Sequence, residues 1–124
     1  MMLLDTSAII EHFIGSKEGK VVQETLKKEP CYISILTLAE AKGWCLKNGR
    51  DYGLWLEATK KLTTTVNIDE EICEKGADIT FEMQKKNRDF GLMDGMILAS
   101  ARSINQRLMT KDRHFEGLTD AVLI

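Results

Sequence analysis

The first ten residues are Met1-Met2-Leu3-Leu4-Asp5-Thr6-Ser7-Ala8-Ile9-Ile10, and they indicate how the whole chain is arranged. Four apolar residues in an unbroken run predict a short strand that is buried on both faces. An acid and two hydroxyl residues follow, and from Ile9 the apolar residues recur at helical spacing. A strand, an acidic corner and a helix are typical of α/β sheets, in which ligands bind beyond the carboxyl ends of the strands.

The remainder of the chain repeats this alternation of strand and helix. Further strands are predicted at residues 31–35, 64–68, 107–110 and 121–124, with amphipathic or apolar helices between them. Strands that alternate with helices favour a parallel sheet covered on both faces. We therefore expect an α/β fold, a three-layer α/β/α sandwich around a mainly parallel sheet of about five strands, in a single domain spanning residues 1–124.

Composition excludes several classes of protein. Seventeen basic residues against 19 acidic residues give a net charge of −2, which argues against a protein that coats nucleic acid by charge alone. No apolar run approaches the roughly 20 residues of a membrane span, and no basic segment precedes the first apolar run. Three widely spaced cysteines, Cys31, Cys45 and Cys73, fit buried free thiols. We expect a cytoplasmic protein that does not enter a membrane.

Four acids follow strands or begin helices in ways that would bring them to one edge of the sheet. Asp5 ends the first strand, Glu40 lies near the start of the helix after the second strand, and Asp112 lies two residues beyond the fourth strand. Asp94 opens a nearly all-apolar helix predicted over 95–104. Because parallel strands share their carboxyl edge, these four positions are expected to converge.

Each acid also has a simpler interpretation. Asp5 and Asp94 are candidate helix N-caps, and Glu40 stands three residues after Thr37, as in a capping box. Asp112 suits a turn. Taken singly these interpretations stay open, but four acids at the same predicted edge favour a shared site.

A group of carboxylates has few chemical options. Two like charges about 4 Å apart near a protein surface repel by roughly 4 kcal/mol, so such a group takes up protons or binds cations. Carboxylates favour Mg²⁺ or Mn²⁺, and zinc is disfavoured because no histidine or cysteine belongs to the set. His114 is a candidate general base, but a half-exposed position beside Phe115 is the simpler interpretation, because bound metal ions already supply the base. This chemistry suits phosphodiester hydrolysis, with the hydroxyls of Thr6, Ser7 and Thr110 in support.

Four segments resemble the PIN domain family, and within it the VapC-type ribonuclease toxins. The segment around Asp94 is similar to a helix of that family that begins with an acid. The segment from Met109 to Phe115 is similar to the family's signature at strand four, which has Thr, then an acid or Asn, then Phe. Gly95 and Met96 depart from the Ala and Leu usual after the third acid. The matching segments are Leu4-Asp5-Thr6-Ser7, Leu38-Ala39-Glu40, Met93-Asp94-Gly95-Met96-Ile97-Leu98-Ala99-Ser100-Ala101 and Met109-Thr110-Lys111-Asp112-Arg113-His114-Phe115.

The resemblance implies a metal-dependent endoribonuclease that acts as the toxin of a type II toxin–antitoxin pair. It places the nuclease metal ligands on Asp5, Glu40 and Asp94, with Asp112 as the fourth and more variable acid, and it implies Mg²⁺ or Mn²⁺ as cofactor. It also implies an RNA substrate, a homodimer and a cognate antitoxin protein. Two alternatives remain: another Mg²⁺-dependent phosphatase or phosphotransfer enzyme, and a non-catalytic PIN-like interaction protein. A haloacid-dehalogenase-type phosphatase would need a second Asp where Ser7 stands.

Overall fold

The structure, a computed structural model, describes residues 1–124 and contains one five-stranded parallel sheet with the strand order β3-β2-β1-β4-β5. The predicted three-layer α/β/α architecture is confirmed. The strands are β1 (Met2–Leu4), β2 (Cys31–Ser34), β3 (Thr64–Val66), β4 (Arg107–Thr110) and β5 (Ala121–Leu123). The helices are α1 (Thr6–Ile14), α2 (Lys17–Lys28), α3 (Leu36–Asn48), α4 (Tyr52–Leu62), α5 (Glu70–Gln84) and α6 (Leu92–Ser103), and a short 3₁₀ turn covers Arg113–Phe115.

Strand β1 is the centre of the sheet, and its side chains divide the core into two parts. Met2 and Leu4 pack with residues of α1 to α4 on one face, around the fully buried Trp55. Leu3 packs with α6 and with Phe90 and Phe115 on the other face. Neighbouring side chains of a strand point to opposite faces, so an unbroken apolar run belongs in a strand covered on both sides.

The strand order also creates the crevice of the fold. The chain runs from β1 outward through β2 and β3, then returns to place β4 on the other side of β1. Leu4 pairs with Met109, and the backbone N–H of Asp5 donates to the carbonyl of Met109 at 2.8 Å. The carboxyl ends of β1 and β4 therefore lie side by side at the point where the strand order reverses, which is where open α/β sheets bind ligands.

Helices α5 and α6 approach each other unusually closely, and Gly95 makes this possible. A Cβ added at Gly95 would lie 2.0 Å from Thr80 Oγ1 and 2.4 Å from the carbonyl oxygen of Gly76. The glycine that departs from the family pattern is therefore required by its packing partner. The approach fixes the first turn of α6, on which Asp94 lies.

Several local predictions need correction. Helix α6 begins at Leu92, with Gly91 in the N-cap position, so Asp94 is its third residue and does not open it. Cys31 and Cys45 are buried, but Cys73 is exposed, so the prediction of three buried thiols is wrong for Cys73. None of the helices combines the length and hydropathy needed to cross a lipid bilayer.

Candidate metal centre

Asp5 occupies the N-cap position of α1, but its carboxylate does not cap the helix. Its Oδ2 accepts hydrogen bonds from Ser7 Oγ at 3.0 Å and from Thr110 Oγ1 at 2.7 Å. No side-chain hydroxyl bonds to Oδ1. The capping interpretation of Asp5 is therefore wrong, and the side chain is oriented by hydroxyls from the helix that follows β1 and from the end of β4.

The environment of Asp5 disfavours its charge. Burial raises the pKa of this carboxyl from 3.8 to about 6, against the hydrogen bonds from Thr110 and Ser7, which lower it. The nearby negative charge of Glu40 raises the pKa further. A buried carboxylate that faces another carboxylate is stabilised by a cation more than by any neutral donor.

Glu40 lies in the second turn of α3 and points to Thr6 at the start of α1. The Thr6 hydroxyl donates to Glu40 Oε1 at 2.6 Å and lies 2.9 Å from the hydroxyl of Thr37, which is buried. The N-cap position of α3 is Ile35, so the predicted capping box of Thr37 and Glu40 does not form. Burial raises the pKa of Glu40, the Thr6 bond lowers it, and the charges of Asp94 and Asp112 raise it further.

Asp94 and Asp112 each hold a local hydrogen bond while facing the same site. Asp94 Oδ2 accepts the backbone N–H of Gly91 at 3.1 Å, one turn before it. Asp112 Oδ1 accepts the backbone N–H of His114 at 2.9 Å, and the backbone N–H of Asp112 donates to Thr110 Oγ1 at 2.9 Å. The turn interpretation of Asp112 is confirmed, and the same bonds fix the direction of its carboxylate.

His114 lies against these two acids, a position that sequence reasoning did not foresee. Single ligand atoms of Asp94, Asp112 and His114 all lie within 4.8 Å of one another. His114 Nδ1 is 3.5 Å from Asp94 Oδ2 and 3.5 Å from Asp112 Oδ1, and it is buried without a hydrogen bond. The structure therefore places a histidine beside two of the acids, which the sequence analysis treated as carboxylates alone.

The structure gathers the predicted residues from both helical layers and from the sheet edge between them. Asp94, Asp112 and His114 form the tightest group, and Asp5 and Glu40 lie outside it. Glu40 interacts electrostatically with Asp94 and Asp112 on one side and with Asp5 on the other. None of the four acids forms an ion pair with a lysine or arginine. This donor set fits Mg²⁺ or Mn²⁺, because carboxylates that lack a basic partner supply the hard oxygen ligands these ions prefer.

Two further residues support the site and were not predicted. Glu11, one turn after Ser7 on α1, is almost buried and forms an ion pair with Lys111 Nζ at 2.5 Å. The backbone N–H of Lys111 also donates to Ser7 Oγ at 3.0 Å, so α1 holds the residue directly before Asp112 at two points. The sequence does show that Ser7 and Glu11, four residues apart, share one face of a helix. It does not show that their common partner is Lys111, about a hundred residues away in the chain.

The largest cavity lies elsewhere. It has a volume of about 410 Å³, lies between α5 and α6, and is lined by residues such as Asp69, Lys75 and Arg102. It shares no residue with the acidic cluster.

Comparisons with known proteins agree with this fold. The model of the PIN domain family matches residues 2–120. A toxin–antitoxin complex from Klebsiella pneumoniae contains a chain that is similar in structure, with a TM-score of 0.77 and 24% identity over 98% of this chain and 96% of that one. VapBC2 from Rickettsia felis, bound to a DNA fragment from its promoter, gives a TM-score of 0.76 and 16% identity over 99% and 96%. VapBC-1 from nontypeable Haemophilus influenzae gives 0.73 and 22% over 99% and 96%. No curated protein matches significantly.

Proposed function

The chain belongs to the PIN domain family, and from this premise we propose that it is a metal-dependent endoribonuclease that hydrolyses RNA phosphodiester bonds. The observation that carries the proposal is the convergence of Asp5, Glu40, Asp94 and Asp112 at one sheet edge without a lysine or arginine partner. The pKa values of Asp5 and Glu40 are raised, as expected for carboxylates that need a cation to share the site.

The four acids would hold Mg²⁺ or Mn²⁺, and the bound ion would activate water and stabilise the leaving oxygen of an in-line displacement. The residues of the chain supply orientation. Ser7 and Thr110 turn the Asp5 carboxylate, and Thr6 turns that of Glu40. The Glu11–Lys111 ion pair holds the segment that carries Asp112. Rigid placement of this kind lowers the barrier because the ligands do not reorganise during the reaction.

We propose that the biological role is that of a toxin in a type II toxin–antitoxin pair. Support comes from the similar structures, which are named as toxin–antitoxin or VapBC complexes. On this proposal the protein is a cytoplasmic homodimer, and a cognate antitoxin covers the acidic edge. Three cysteines without disulfides are consistent with a reducing compartment.

Cleavage of RNA by purified, tag-free protein tests the enzymatic proposal. Asp94→Asn and Asp112→Asn retain an oxygen that accepts the local backbone hydrogen bond but lose the charge, so they separate a metal role from a capping role. We expect Mn²⁺-dependent cleavage to fall by about two orders of magnitude or more, because charge stabilisation by a metal contributes several kcal/mol. Asp78→Asn, on the exposed surface of α5, is the control and should keep full activity. Full activity in both site variants would contradict the proposal.

Expression in a bacterial host tests the toxin role. Wild-type protein should arrest growth, the Asp94→Asn variant should not, and co-expression of the product of the adjoining reading frame should restore growth. If that product neither binds the protein nor restores growth, the antitoxin proposal fails while the nuclease proposal stands on the cleavage assay.

A further inference from the structure

His114 is the polar group at this site to which the proposed reaction gives no role. Its Nδ1 is buried, makes no hydrogen bond, and lies 3.5 Å from a carboxylate oxygen of Asp94 and 3.5 Å from one of Asp112. A buried nitrogen without a hydrogen-bond partner is costly, and it calls for a specific explanation. The arrangement therefore needs an explanation beyond packing.

A hydrogen bond does not supply that explanation. At 3.5 Å from each carboxylate oxygen, Nδ1 is too distant for a charge-assisted N–H···O bond, which measures about 2.7–2.9 Å. Asp112 Oδ1 already accepts the backbone N–H of His114. By contrast, two ligand atoms that each lie about 2.1 Å from one ion are separated by roughly 3.0–3.5 Å at the usual coordination angles. The two separations measured from Nδ1 match those of atoms that share an ion.

The backbone turn that carries His114 is held in place by the fold. Phe115, the next residue, is fully buried and packs edge to face on Phe90, with ring centroids 5.4 Å apart. Asp112 caps the 3₁₀ turn that contains His114, so the turn is fixed at both ends. Because the turn is fixed, His114 can act as a ligand with less loss of conformational freedom than a residue on a mobile segment.

We propose that His114 binds the divalent ion through Nδ1, beside Asp94 and Asp112, and that the site therefore prefers Mn²⁺ or another transition metal to Mg²⁺. The physical reason is that imidazole nitrogen is a good ligand for transition metals, whereas Mg²⁺ prefers oxygen. The inference rests on the proposed function, because it assumes that these acids hold an ion. It adds a nitrogen ligand and a metal preference to that site.

Pulsed electron paramagnetic resonance of the Mn²⁺-loaded, tag-free protein tests the ligand directly, because a coordinated imidazole couples its ¹⁴N nucleus to the electron spin of the metal. The chain has only two histidines, so His12→Gln is a matched control for His114→Gln. We expect the ¹⁴N coupling in the wild type and in His12→Gln, and its loss in His114→Gln. Bound Mn²⁺ without ¹⁴N coupling in the wild type would overturn the inference.

Calorimetry with Mn²⁺ and with Mg²⁺ tests the preference. His114→Gln should weaken Mn²⁺ binding by about tenfold or more, which is the loss of affinity expected when a side chain that binds or orients a metal ligand is removed. The same substitution should change Mg²⁺ binding by less than about twofold. An equal loss for both ions would overturn the inferred preference. No binding of Mn²⁺ to the wild type would refute the proposed function as well, whereas binding and RNA cleavage without a nitrogen ligand would refute only the role of His114.

Discussion

Replacing Asp5 by Asn should stabilise the metal-free protein at neutral pH and at the same time abolish its stabilisation by Mn²⁺. Burial raises the pKa of Asp5 from 3.8 to about 6. Between these two pH values the folded protein holds a proton on Asp5 that the unfolded chain has already released. The free energy of unfolding therefore falls as the pH rises through this range, and the loss is complete above the folded pKa.

The magnitude follows from the pKa. A rise from 3.8 to about 6 corresponds to about 3 kcal/mol of stability lost at pH 7.5, of which roughly half is lost between pH 5 and pH 7.5. Asparagine removes this penalty and still accepts the hydroxyls of Ser7 and Thr110. Its amide hydrogens lack partners there, which costs about 1–3 kcal/mol. The net effect at pH 7.5 should be a stabilisation of roughly 0–2 kcal/mol.

Urea unfolding of the wild type and of Asp5→Asn, followed from pH 5 to pH 8 with chelator present, measures this effect. The difference between the two proteins is the useful quantity, because the titration of groups that do not interact with Asp5 cancels in it. It should grow by about 1.5 kcal/mol in favour of Asp5→Asn from pH 5 to pH 7.5. Mn²⁺ at a hundred times its dissociation constant should add about 2.7 kcal/mol to the wild type and nothing to the variant.

Two results would refute the reasoning about Asp5. One is a difference in unfolding free energy that does not change with pH, since the raised pKa would then be absent. The other is an equal gain from Mn²⁺ in both proteins, since the ion would then bind elsewhere. Asp78→Asn, on the exposed surface of α5, is the control and should change the unfolding free energy by less than about 0.5 kcal/mol at every pH.

Three further substitutions test the surrounding structure. Gly95→Ala should lower the free energy of unfolding in urea by about 1–3 kcal/mol, because its Cβ would collide with α5. The control Gly43→Ala, with open space around the added Cβ, should raise this free energy by up to about 1 kcal/mol. A stabilised Gly95→Ala variant would disprove the close approach of the two helices. Thr110→Val removes a hydrogen bond that lowers the pKa of Asp5, so the pH below which Mn²⁺ affinity falls, measured by calorimetry, should move to a higher value. An unchanged pH dependence of the affinity would count against that bond. Thr37→Val removes a buried hydroxyl partner from the acidic edge and should cost about 1 kcal/mol in urea unfolding, so an unchanged midpoint would show that the bond contributes nothing.

Much of the fold could be predicted because its signals are local. Helix α2 and strand β4 have the predicted bounds, since a proline, turn residues and apolar periodicity act within a few positions of the boundary. The unbroken apolar run before Asp5 was enough to place β1 inside a parallel sheet. From that placement the convergence of four acids followed, because parallel strands share one carboxyl edge.

The partners of those acids could not be predicted, because capping motifs and tertiary contacts compete for the same side chains. Local rules assign Asp5 to a helix cap and Glu40 to a capping box, but the fold gives them hydroxyls from positions 105 and 34 residues away in sequence. The position of His114 beside Asp94 could not be predicted either, because the two residues lie 20 positions apart and no local pattern links them.

The sequence by itself determined the strands, the helices and the edge at which the acids meet, since these depend on hydrophobic periodicity and on strand direction. Only the tertiary structure decided what each polar atom bonds to, and that Gly95 is required by the helix packed on it. Hydrogen bonds and close packing depend on distances of a few tenths of an ångström between segments far apart in the chain, which no local pattern specifies.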